Sequence, residues 1–76
     1  MIKVTSACSQ DYLKVYFNEV LHLSLYIGDL VGVQGYVESA SWYCVEYTFK
    51  GKAMIRSQYD NKEVWCEVLK QIGEYV

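Results

Sequence analysis

Along most of this chain apolar and polar side chains alternate, and only the final stretch changes to a spacing of three and four. Ile2 and Val4 alternate with Lys3 and Thr5, which predicts a short strand over 2–6. From Tyr12 to Ile27 two templates fit. At helical period Leu13, Tyr16, Phe17, Val20, Leu21 and Leu25 form a stripe. At period two Leu13, Val15 and Phe17, then Leu21, Leu23, Leu25 and Ile27, alternate with Tyr12, Lys14, Tyr16 and with His22, Ser24, Tyr26. The alternation breaks only at Asn18, Glu19 and Val20, and the segment is rich in β-branched and aromatic residues, so two strands are preferred over one helix. A three-residue loop over 18–20 sets Phe17 opposite Leu21, Val15 opposite Leu23 and Leu13 opposite Leu25, gathering the aliphatic side chains on one face. A two-residue loop pairs Val15 with His22 and mixes the faces.

The same logic continues downstream. Gly28, Asp29 and Leu30 offer another three-residue loop, which sets Val31, Val33 and Val37 opposite Ile27, Leu25 and Leu21, with Gly35 at a bulge. Residues 38–41 form a polar break. Then WYCVEYTF and AMIRSQY flank Lys50-Gly51-Lys52, predicting a hairpin in which Tyr43, Val45, Tyr47 and Phe49 share a face with Ala53, Ile55 and Tyr59, and Glu46 stands across from Arg56. Asp60 is a good N-cap, and Glu63 completes a capping box. Val64, Trp65, Val68, Leu69 and Ile72 recur at helical spacing, with Lys62, Glu67, Lys70, Gln71 and Glu74 on the other side. Gly73 weakens the last turn. The expected architecture is an α+β fold, an antiparallel β-meander of five or six strands packed on one face by a C-terminal amphipathic helix, with Trp65 as its largest buried wedge.

Composition limits what this fold can be asked to do. Seventy-six residues suffice for one domain spanning 1–76, and 53% hydrophobic residues with no proline exclude disorder. Seven basic against nine acidic residues give a net charge of -2, and the basic ones are scattered, so a nucleic-acid partner is disfavoured. Cys8, Cys44 and Cys66 are odd in number and form no C-x-x-C pair, which fits small hydrophobes with free thiols in a reducing cytoplasm better than a disulfide framework. With His22 as the sole histidine and the thiols far apart, no metal site is expected. Residues 1–10 lack the apolar block of a signal peptide and no run reaches membrane-spanning length, so neither a signal peptide nor a membrane span is expected. The five glycines stand singly and build no phosphate loop, so no cofactor is expected. A Cys44/His22 nucleophile pair requires their strands to be neighbours, and the expectation is that the chain is not an enzyme and has no catalytic residue.

Eight tyrosines and two tryptophans are the unusual feature. Parity assigns Tyr43, Tyr47 and Tyr59 to the core. The register around 18–20 places Tyr12 opposite Tyr26 and Tyr16 opposite His22, so Tyr12, Lys14, Tyr16, His22 and Tyr26 form one outward patch, which Trp42 and Met54 extend or supplement. Interfaces enrich tyrosine and tryptophan because these supply contact area at low entropic cost with a polar tip, although wet sheet faces also carry tyrosine for its strand preference.

The run LVGVQGYVESASWYCVEYTFKGKAMIRSQYDNKEVWCEVLKQI resembles the strand, glycine-tipped hairpin, short strand and capped helix of many small phage and mobile-element proteins, among them anti-CRISPR and other host-defence inhibitors, and of small flagellar proteins. The resemblance covers roughly the last 45 residues and carries no signature residue. It implies a phage-encoded, non-enzymatic inhibitor that binds and occludes a bacterial host protein complex in the host cytoplasm. The alternative is a homo-oligomeric structural or regulatory protein, for instance a homodimer joined through its tyrosine face.

Overall fold

The computed structural model describes residues 2–76. Among these residues the order is β1 (Val4–Ser9), β2 (Tyr12–Phe17), β3 (Val20–Tyr26), a 3-10 turn (Ile27–Asp29), β4 (Leu30–Ser39), β5 (Trp42–Phe49), β6 (Ile55–Tyr59) and α1 (Lys62–Gly73). This is the α+β arrangement of antiparallel strands and a C-terminal helix that the periodicity predicts. The strands differ in dividing into two three-stranded sheets, β1-β2-β3 and β4-β5-β6.

The division happens at Ile27–Asp29. This segment closes a 3-10 turn instead of a hairpin, and its two ends are tied to different places. The Ile27 N–H donates to the Asp11 carbonyl at 2.8 Å, while the Asp29 carbonyl accepts from the Lys50 N–H at 2.7 Å. An exposed Lys52–Asp29 ion pair at 3.5 Å adds little. The chain thereby leaves the first sheet, and Val33 and Val37 stand opposite Tyr47 and Tyr43 instead of Leu25 and Leu21.

In the first sheet both hairpins turn in two residues with positive φ, Gln10 and Asp11 at 53° and 65°, Asn18 and Glu19 at 50° and 69°. This is the type I′ geometry, whose twist matches that of the flanking strands. The first turn lets β1 run on to Ser9 instead of ending at position 6. The second pairs Phe17 with Val20 and Tyr16 with Leu21, yet Val15↔Leu23, Leu13↔Leu25 and Tyr12↔Tyr26 stand as the three-residue loop predicts. A bulge between the two halves reconciles them, with His22 as the extra residue of β3. The interruption of the alternation turns His22 to the side of Phe17, and the two rings stack at 4.1 Å.

In the second sheet Glu46 faces Arg56 and Tyr43 faces Tyr59, as expected. Residues 53 and 54 remain outside the strands, however, and Ile55, opposite Tyr47, is 49% exposed and not core. The expected polar break contracts to a tight turn at Ala40 and Ser41. The register of β4 shifts at Val31 and Glu38, whereas Gly35 lies in the regular ladder opposite Val45. Glycine is needed there for another reason: a Cβ would come within 2.6 Å of Leu69 Cδ1, so its absence lets the helix approach the sheet.

The core takes Val4, Leu13, Val15 and Leu25 from the first sheet, Val45, Tyr47, Phe49 and Tyr59 from the second, and Val64, Val68 and Ile72 from α1. Each fully buried aliphatic side chain contributes about 1.5–3 kcal/mol. The helix begins after Asn61, whose Oδ1 accepts from the N–H groups of Glu63 and Val64 at 2.9 and 3.2 Å, so the cap is one residue beyond Asp60. Trp65 is half-buried beside Tyr43, ring centroids 5.2 Å apart, and its indole N–H donates to the Cys44 carbonyl at 2.9 Å. Tyr47 is instead the largest fully buried side chain.

Candidate functional site

With Leu13, Val15 and Leu25 turned inward, β2 presents Tyr12, Lys14 and Tyr16 to the outside of the first sheet, and β3 presents Ser24 and Tyr26. Tyr12 and Tyr26 are direct cross-strand partners, their rings 5.2 Å apart and tilted by 49°, the arrangement that aromatic quadrupoles favour. They remain 49% and 39% exposed. Lys14 lies between Tyr12 and Tyr16 along β2, with Ala7 and Ser24 as its neighbours on β1 and β3. Together with Ser9 these residues line a shallow groove whose small side chains on the flanking strands leave the phenol rings standing proud. Gly28 contributes from beyond β3. The Tyr26 ring rests over it, and a Cβ at that position would meet Tyr26 Cζ at 2.6 Å.

Four of the expected patch residues, Tyr12, Lys14, Tyr16 and Tyr26, thus share one face. His22 does not join them. Its Nε2 lies 2.9 Å from the Tyr59 hydroxyl, bridging the two sheets, and burial lowers its pKa from 6.5. Burial also raises the Tyr59 phenol. In the place expected for His22 stands Leu21, opposite Tyr16 and exposed, which adds an apolar margin to the tyrosine face. Sequence parity missed Leu21 because its only signal was an Asn-Glu turn without glycine. Trp42, at the start of β5, lines a separate small groove with Phe17, His22 and Tyr59. Met54 is exposed just beyond the Tyr47–Ile55 pair, roughly 20 Å along the strand direction from Trp42, so the two do not form one patch.

The outer face of the second sheet carries a polar network. The Tyr36 hydroxyl donates to Glu46 Oε2 at 3.0 Å, and burial together with that bond raises its phenol to about 12. Glu38 Oε2 accepts from the Cys44 thiol at 3.3 Å and from Gln58 Nε2 at 2.8 Å. Arg56 approaches both carboxylates, at 3.9 Å from Glu38 and 3.5 Å from Glu46. The Cys44 thiol is sealed beneath these groups, and His22 lies on the opposite side with Tyr59, so no Cys44/His22 pair forms.

A further open concavity lies between the first residues of the chain around β1 and the start of α1, where Asn61 already satisfies the helix N-terminus. Among the described residues no three His, Cys, Asp or Glu side chains converge to hold a metal, and no helix is long and apolar enough to cross a membrane. No family model, no curated protein and no solved structure matches this chain.

Proposed function

We propose that this chain is a non-enzymatic protein-binding module that recognises its partner through the outer face of the first sheet, and that it acts as a phage-type inhibitor occluding a bacterial host protein complex. The observation that carries the binding surface is the Tyr12–Tyr26 pair, two half-exposed rings held 5.2 Å apart on a sheet face that the helix leaves open. Each ring offers apolar area and a hydroxyl, and the β-ladder fixes both, so little entropy is lost on docking. Lys14 is the single charged side chain between Tyr12 and Tyr16. The complementary partner surface is therefore apolar at its centre, with hydrogen-bond acceptors for the phenols and a carboxylate for Lys14. The inhibitory role and the host setting rest on the resemblance of the last strands and helix to phage accessory proteins.

The test is capture from bacterial lysate by the tagged full chain, compared with Tyr12→Ser/Tyr26→Ser. An anchoring tyrosine contributes about 2 kcal/mol, so the double variant is expected to weaken binding well over about tenfold, with an unchanged melting temperature. Equal capture by both proteins, or none by the wild type, refutes the proposed surface.

A further inference from the structure

The four sheet edges are not alike. β1 is tied at its start to the β2–β3 turn, through the Asn18 N–H to the Lys3 carbonyl and the Lys3 N–H to Asn18 Oδ1, both at 2.9 Å, and it lies against the helix. The bulge at His22 interrupts β3 between its paired residues Leu21 and Leu23, whereas the register shifts of β4 fall near its two ends, at Val31 and Glu38, and leave Gly32–Val37 regular. β6 has only five residues and carries Arg56. β4 has ten residues, no Lys, Arg or Pro, and a single charged side chain, Glu38, near its far end. Among the described residues no backbone group of 31–39 bonds outside the ladder with β5. A long edge with few charges and open donors and acceptors is a template for another strand.

We infer that β4 pairs with β4 of a second copy of this chain, antiparallel about a twofold axis at Gln34, joining two three-stranded sheets into one of six strands. Three observations select this occupant and register. First, a twofold axis normal to the sheet keeps faces matched only if it passes through a residue, and Gln34 is the middle residue of the run Leu30–Glu38. Second, the axis sets Val31 against Val37 of the other copy and the reverse. These valines are 65% and 58% exposed, left open by the helix and the first sheet, and each covers the other. Third, it sets Gly32 opposite Tyr36 of the other copy. Open space surrounds Gly32, with no atom within 4 Å of the position a Cβ would take, so the opposing strand meets no steric bar there while Tyr36 keeps its bond to Glu46. Glu38 then meets Leu30, so no like charges are opposed, and the net charge of -2 per copy gives little repulsion. Five residue pairs, Gly32 to Tyr36, lie in the regular part of β4 and form about four to six backbone hydrogen bonds, with the Val31–Val37 pairs at either end. The contact is independent of the tyrosine face, which stays free on each copy.

The oligomeric state tests this directly. Light scattering behind size exclusion is expected to give twice the monomer mass for the wild type, and the monomer mass for Val31→Lys and for Val37→Lys, each with an unchanged circular dichroism spectrum. Gln34→Cys in a Cys8→Ser/Cys66→Ser background is expected to form a disulfide-linked dimer on mild oxidation, because the residue on the axis faces itself at a Cα separation of about 4.5–5.5 Å. A wild type that stays monomeric up to about 1 mM overturns the inference. So does a dimer that survives both lysine variants, a dimer that dissolves in Tyr12→Ser/Tyr26→Ser, or a Gln34→Cys protein that does not cross-link.

Discussion

Glu19 occupies a conformation that its side chain opposes, and replacing it by glycine should stabilise the protein. Its φ of 69° lies in the left-handed region, as the second central position of the I′ turn requires. That region costs an L-residue about 1–2 kcal/mol from the approach of Cβ to the carbonyl oxygen, whereas glycine enters it freely. The Glu19 side chain is exposed and makes no hydrogen bond or ion pair among the described residues, so its removal loses no contact. Against the gain stands the wider freedom of glycine in the unfolded chain, about 0.4–1 kcal/mol. The balance for Glu19→Gly is a stabilisation of about 0.5–1 kcal/mol, or about 3–6 °C in a domain of this size. Asn18 next to it should not be exchanged, because its Oδ1 holds the Lys3 N–H. Urea unfolding followed by tryptophan fluorescence measures the effect as a rise in midpoint at constant slope. A midpoint that falls or stays level refutes the argument, since it would mean that the turn costs Glu19 nothing or that an unseen contact of its side chain outweighs the strain.

Two further outcomes follow from the caps and the inter-sheet histidine. Asn61→Ala should cost about 1 kcal/mol while Asp60→Ala costs almost nothing, because Asn61 alone accepts from the first helical N–H groups; equal losses in thermal melts would contradict this assignment. His22 has a folded pKa lowered by burial from 6.5, so below that value the unfolded chain binds the extra proton and stability falls. The stabilising contribution is complete above about pH 6.5 and declines as pH drops through the lowered folded value. Melting curves between pH 7 and pH 5 should show a steeper loss for the wild type than for His22→Gln, and parallel losses would remove His22 from the account.

Much of this fold was legible because side-chain parity is a local property. Leu13, Val15 and Leu25 announce their inward face, Glu46 finds Arg56, and Val64, Val68 and Ile72 mark the buried side of the helix. Parity says which way a side chain points, but it does not say which strand lies alongside. Val33 and Val37 are apolar at the right spacing to pair with β3 or with β5, and the choice is made by the 3-10 turn at Ile27–Asp29 through backbone bonds to Asp11 and Lys50, far away in sequence. The turns escaped for a related reason. Gln-Asp and Asn-Glu lack the glycine that usually marks a I′ turn, and the bulge that absorbs the extra residue hides the change of loop length from any count of alternation. At the helix start Asp60 and Asn61 are both competent caps, and only the backbone geometry distinguishes them. The tyrosine face was legible in four of its members, while His22 and Leu21 exchanged sides with the bulge.

Every strand pairing in this molecule joins sequence neighbours, so each trio of strands can form from short loop closures alone. The apolar sides of the two trios share one core, whose cover is complete only once α1, which follows all six strands in chain order, docks on both. A chain whose helix has not yet docked therefore displays unfinished apolar sheet faces, and β4 is the segment most exposed to neighbouring chains in that interval.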